Sequence, residues 1–169
     1  MDVQEQQHTD LQQVAELVDE IKFAMMTTEE ADGTLRSRPM ATMQMDGSGC
    51  LWFFTAMSSP KVDEAEMHHQ VNLSYANPDK QDYLSVSGNC EIVRDKDKMR
   101  ALWTPWVQPW FPKGVDDPDL VLLKVTITEA EYWVAPGSAA KRLYGLAKGI
   151  MTGNTDALGD NRKIVVQHL

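Results

Sequence analysis

Residues 23–56, FAMMTTEEADGTLRSRPMATMQMDGSGCLWFFTA, decide the reading of the fold. Ala31-Asp32-Gly33 is a turn signal, and its flanks, Phe23–Thr28 and Thr34–Gln44, pair as a hairpin. Asp46-Gly47-Ser48-Gly49 turns the chain again and Leu51–Ala56 follows as the next strand, which predicts a meander of short antiparallel strands. In that strand Leu51 and Phe53 share one face while Trp52 and Phe54 share the other. At least one aromatic pair therefore lies outside a single core layer.

Upstream, Thr9 and Gln12 read as a capping box, and Leu11, Val14, Val18, Ile21 and Met25 recur at helical spacing, which predicts an amphipathic helix over about 9–22. Downstream, Ser59-Pro60 opens a helix that runs to about His68, because serine caps free amides and proline suits the first helical position. Val71–Ala76 and Tyr83–Arg94 alternate as strands across Asn77-Pro78-Asp79, with Gly88 marking a bulge. Lys96–Trp103 reads helical. A Pro-interrupted aromatic stretch, Trp103–Pro112, leads to a long strand at Leu120–Thr128 and a short one at Tyr132–Ala135. From Lys141 the glycines Gly145, Gly149, Gly153 and Gly159 leave room for one short helix at most.

The expected architecture is mainly β: a barrel of six or seven mostly antiparallel strands with flanking helices, closed because closure removes exposed edges. One domain is expected over 1–169, with the helix at about 9–22, the barrel at about 23–135 and a C-terminal extension at 136–169. A chain of 169 residues with 43% hydrophobic and 24% charged residues buries enough surface to fold without disulfides or metal. No G-x-G-x-x-G follows a strand, which argues against a doubly wound nucleotide-binding sheet.

Lys+Arg 16 against Asp+Glu 25 gives a net charge of −9, which disfavours nucleic acid as a partner and requires any anionic ligand to find a local cationic pocket. The first residues carry no basic and apolar leader, and no apolar run approaches the roughly 18 residues of a membrane span, so a cytoplasmic protein with no membrane partner is expected. Cys50 and Cys90 form no C-x-x-C pair and read as small buried hydrophobes. The four histidines show no ligand spacing, so no metal site is expected.

Arg36 and Arg38, two apart on a strand, leave the same face. Thr55, Ser59 and Lys61 follow at the mouth of the helix begun by Pro60, where free amides and the helix dipole favour an anion. Together they describe a phosphate site; the alternative is a solvated strand face and an ordinary cap. Five tryptophans are a second signal, and packing accounts for most of them. Trp103, Trp106 and Trp110 recur at helix-like intervals broken by Pro105 and Pro109, which fits an aromatic lid or a subunit contact.

The runs Leu35–Met40 (LRSRPM), Leu51–Lys61 (LWFFTAMSSPK) and Trp110–Trp133 (WFPKGVDDPDLVLLKVTITEAEYW) resemble the flavin-binding split barrel of the pyridoxamine 5′-phosphate oxidase-like superfamily, in its general stress protein 26 branch. The resemblance spans roughly Val14–Pro136. It implies a homodimer with FMN in a groove between subunits and a flavin-dependent oxidoreductase acting on a small-molecule electron donor or acceptor. It also implies roles: Arg38, Pro39 and Met40 along the flavin, Phe54 and Thr55 from the next strand, Ser59 and Lys61 on the phosphate, Trp133 from the partner chain and Trp110 over the ring. Lys141 and Arg142 stand in SAAKRLYG, where pyridoxamine phosphate oxidases carry an Arg-x-His-Asp-Arg type motif, so efficient oxidation of pyridoxamine 5′-phosphate is not expected. The catalytic residues stay unassigned. A flavin-binding or flavin-buffering protein without turnover, and a barrel holding a deazaflavin or haem, remain the alternative readings.

Overall fold

Two turns and a helix cap organise the first half of the barrel. In the computed structural model, which describes residues 3–59, 69–135 and 160–166, helix α1 spans Val3–Ile21 and buries Val14, Leu17 and Val18. It begins upstream of Thr9, so the Thr9/Gln12 pair lies inside the helix rather than capping it. Lys22 takes the left-handed conformation (φ 64°) that ends a helix, and its amide bonds back to Val18 O at 2.8 Å. The chain then enters β1 (Phe23–Glu29), which pairs with β2 (Leu35–Met45) across the expected turn. There Gly33 supplies φ 84° and the Asp32 carboxylate accepts the Thr34 amide at 2.9 Å.

The remaining strands are β3 (Cys50–Ala56), β4 (Gln70–Asn77), β5 (Asp82–Val93), β6 (Leu120–Val134) and β7 (Asp160–Val165). The order β3-β2-β1-β4-β5-β6, together with a β3–β6 pairing, closes six antiparallel strands into a barrel, and β7 adds to β6. One edge of β6 is therefore shared: β3 pairs with Leu120–Thr126 and β7 with Glu129–Val134. This corrects two expectations. Leu120–Thr128 and Tyr132–Ala135 are one strand, and the C-terminal region contributes a strand whose Ile164 is buried in the barrel core. The short helix expected from Lys141 lies outside the described residues, as does the one expected at about 60–68.

Gly88 stands at the expected bulge, where the register shifts between Ser87 and Gly88. A Cβ there would meet Thr126 O at 2.5 Å, so only glycine lets β5 and β6 approach this closely. The alternation in β3 also resolves as expected. Leu51 and Phe53 enter the barrel core, whereas Cys50, Trp52 and Phe54 join a second cluster outside it, under helix α2 (Lys96–Leu102) and a 3-10 turn (Pro105–Val107). Each such buried side chain is worth about 1.5–3 kcal/mol. Both cysteines are buried and free, and burial pushes the Cys90 thiol up to about 12. No helix among the described residues is long and apolar enough to cross a membrane.

Candidate functional site

The barrel has two unlike ends. At one, where β1, β3 and β5 begin and β2 ends, α1 packs with Val14, Leu17 and Val18 in the same core as the strands. At the other, where β1 and β3 end and β2 begins, the inward positions turn polar: Thr28 on β1, Arg38 on β2 and Thr55 on β3. Thr28 is diagonal to Arg38, since it pairs with Arg36 while Arg38 pairs with Met26, and Arg38 Nη1 donates to Thr28 Oγ1 at 2.6 Å. Arg36, by contrast, spends its charge on an exposed ion pair with Glu30 at 3.2 Å. The two arginines thus share a face but not a task.

Thr55 is 1% exposed, and its Oγ1 has no hydrogen-bond partner among the described residues. Leaving a buried hydroxyl unpaired costs about 1–3 kcal/mol, so such a group calls for an explanation. Ser59, half-buried, follows in the bend after β3, and its amide bonds to Ala56 O at 3.0 Å. The exit from β3 is latched by Ser58, whose amide and hydroxyl donate to the Asp119 carboxylate at 2.9 and 2.7 Å and hold that carboxyl below its usual range. Lys61 lies outside the described residues. Arg94 reaches the same end of the barrel, with Nη2 at 3.3 Å from Met57 Sδ.

On the outer wall of β1–β3, between this polar end and the start of β1, opens a cleft of about 180 Å³. Pro39, Met40, Phe54 and Trp110 line it, four of the residues given a flavin role from the sequence, together with Trp106, read there as part of a lid or subunit contact, and Phe23, which was not singled out. Phe54 is clamped by Trp103 (5.6 Å between ring centroids) and Phe111 (6.1 Å), and Trp106 stands edge-on to Trp110 at 5.6 Å and 85°. Phe23 meets Trp106 at 6.2 Å, so the segment read as an aromatic lid or a subunit contact packs on the barrel wall. Trp110 nonetheless remains 59% exposed.

Trp133 is not brought to this cleft. Phe54 pairs with Leu122 on β6, and Trp133, paired with Tyr83, lies eleven residues farther along that strand. At about 3.3 Å per residue the two are roughly 35 Å apart along the strand. Trp133 is 38% exposed, so its ring is open to solvent at the α1 end of the barrel.

Thr28 was missed because its role depends on hairpin register, which the Asp32-Gly33 turn could have supplied. Phe23 was missed because only the docking of the aromatic segment on β1 brings it to Trp106. Among the described residues no cluster of three or more His, Cys, Asp or Glu side chains is placed to hold a metal.

Residues 9–157 match the pyridoxamine 5′-phosphate oxidase like family. The chain belongs to that family. Within it, the chain is similar to protein bli-3 of Neurospora crassa, at 30% identity over 158 residues, covering 88% of this chain and 76% of that one. Its fold is that of a general stress protein 26 from Jannaschia, with a TM-score of 0.75 and 24% identity over 94% of this chain and 99% of the other. It is also similar to the general stress FMN/FAD binding protein of Xanthomonas citri, with a TM-score of 0.66 and 25% identity over 77% of this chain and 92% of that one. For a pyridoxamine 5′-phosphate oxidase-like chain, the barrel end and the adjoining cleft are where the polar and aromatic candidates converge.

Proposed function

We propose that this chain binds FMN and acts as a flavin-dependent oxidoreductase in the cytoplasm, as a homodimer that holds the cofactor between its subunits. The observation that carries this reading is the buried Thr55 hydroxyl, which has no partner among the described residues and sits at the barrel end where Arg38 supplies a cation. That pairing fits a polar, anionic ligand tail, and the apolar side chains of Pro39, Met40, Phe54 and Trp110 at the mouth of the cleft fit one face of a ring. The Xanthomonas relative described as FMN/FAD binding supports the same choice.

In this reading Arg38, Ser59 and Lys61 hold the phosphate through charge-assisted hydrogen bonds, which are the strong ones. Thr55 donates its hydroxyl to the bound flavin, while Pro39, Met40, Phe54 and Trp110 keep water from one side of the ring. Trp133, too far along β6 to reach the cleft of its own chain, closes the ring in the partner. A second chain also explains why so much apolar surface is left at Trp110 and Trp133. When bound, the flavin supplies the hydride or electron transfer, and the chain positions it and tunes its reduced form.

The absorption spectrum and mass of the chromophore released from purified protein separate flavin from deazaflavin or haem. Lys61→Ala should then weaken FMN by about ten- to a hundredfold, the value of one charge-assisted hydrogen bond, while riboflavin binding changes little. Equal loss of both ligands, or a protein that takes up no flavin, counts against the site. A second reading, flavin buffering without turnover, is favoured by SAAKRLYG, which lacks the histidine of the parent oxidases. Reduction of bound FMN by NADH or NADPH, followed by reoxidation, decides between the two.

A further inference from the structure

We infer that the aromatic cleft is the substrate pocket behind the flavin and that it selects an uncharged planar ring. This rests on the FMN reading above. At about 180 Å³ the cleft is too small for three fused rings with a ribityl phosphate, which on that reading lies across its mouth with the tail at Arg38. It is the right size for a smaller ring, since an apolar protein cavity of about 150 Å³ takes up benzene.

Apart from the indole N–H groups of Trp106 and Trp110, the described side chains that line the cleft are apolar. An anionic substrate would give up its hydration there without gaining a charged partner. No Lys or Arg is among the described residues that line the cleft, and the cations of α2 are committed elsewhere: Arg100 pairs with Asp116 at 3.1 Å, Lys98 donates to Gln44 at 3.1 Å and lies over the Trp52 ring, and Lys96 donates to Asp117 O at 3.3 Å. What the cleft offers instead is geometry. Phe23 and Trp106, at 64° to one another, and Trp110, at 85° to Trp106, form an aromatic corner that meets a planar guest by edge and by face at once. Phe23 is 50% and Trp106 39% exposed, so neither is consumed by packing. Neither is among the residues assigned to the flavin, which leaves these two to determine specificity.

A neutral quinone meets the requirement. The reduced, anionic flavin gives up a hydride, the quinone gains that hydride and one proton from water, and oxidised flavin and quinol result.

The test uses the FMN-loaded protein and two probes with one ring system, menadione and naphthoquinone sulfonate, which differ in charge. Binding is read from tryptophan quenching and from the shift of the oxidised flavin spectrum, before any turnover. Menadione should bind at least about tenfold more tightly than the sulfonate, as expected when a charge must be buried without a partner. Trp106→Ala should weaken menadione by about tenfold and leave the FMN titration within about threefold of wild type. Phe23→Lys should narrow the preference by admitting the sulfonate. Equal binding of the two probes, or a Trp106→Ala protein that binds menadione as before, overturns the inference while FMN binding still stands. A wild-type protein that takes up no FMN removes the reading beneath it, and menadione bound by that protein would mark a ring site that serves no flavin.

Discussion

At one end of β3 every polar group is spoken for; at the other a buried hydroxyl waits. By Cys50, the Asp46 carboxylate accepts the Trp52 indole N–H at 2.8 Å, the Ser48 amide at 3.0 Å and the Cys50 amide at 3.1 Å, and Lys98 sits 4.7 Å from the centre of the same indole. On the neighbouring strands Gly88 lets the β5 and β6 backbones close to contact. Five residues on from Cys50, Thr55 is 1% exposed yet its hydroxyl has no partner among the described residues. The difference separates two uses of polarity. A satisfied network fixes the register of a turn, and an unsatisfied group marks capacity reserved for something outside the chain.

Substitutions at the two ends should therefore differ in kind. The largest effect belongs to Gly88→Ala at the closed end, where the new Cβ would sit 2.5 Å from Thr126 O and 2.7 Å from Val125 Cγ1. Because the obstruction includes backbone, it should cost about 3 kcal/mol in urea denaturation, at the upper end of overpacking effects. A wild-type midpoint would mean that the bulge can open and that this end is looser than its geometry says. Thr55→Val at the other end should do the reverse. Removing an unpaired buried hydroxyl leaves stability unchanged or raises it, by less than about 1 kcal/mol, while flavin affinity falls by about tenfold. If Thr55→Val instead loses stability and keeps its flavin affinity, the hydroxyl has a structural partner and the contrast between the ends fails.

Much of the barrel was legible because its turns are written in short-range chemistry. Asp32-Gly33 and Asp46-Gly47 set two hairpins, and Gly88 announced its bulge. What sequence did not reveal depends on tertiary pairing. Glu129-Ala130-Glu131 reads as a break, yet β6 runs through it because β5 and β7 pair on either edge, Ala130 points into the core, and Glu129 pairs with Lys163 at the surface. β7 itself has too few apolar residues to stand out from a tail. The start of α1 was placed late because residues 3–8 carry no apolar stripe, only residues that tolerate a helix. At the candidate site, the polar positions of β2 and β3 could be read from spacing. The aromatic corner could not, since Phe23 and Trp106 are eighty residues apart and meet only when the Pro-interrupted segment docks.

The smallest effect expected, and the finest test of the closed end, is its behaviour in acid. Burial pushes the Asp46 carboxyl up, but the Trp52, Cys50 and Ser48 donors and the Lys98 charge outweigh it, so the folded protein holds this carboxyl below its usual range. A group whose pKa is depressed by folding contributes stability above its unfolded value, about 3.9, and loses that contribution as the pH falls through the folded value. Asp46→Asn keeps the shape of the side chain and one of its two acceptor oxygens but cannot ionise. Wild type and variant should therefore differ by a constant margin from neutral pH down to about pH 5, and the margin should shrink only below about pH 4. Measuring the difference between the two proteins removes the other carboxylates, which titrate in both. A margin that is flat to the lowest pH at which both fold would assign the network to hydrogen bonds alone, with no contribution from the charge. A margin that already closes near neutral pH would mean that the carboxyl is raised, and that burial, not the indole and amides around it, governs this end of the barrel.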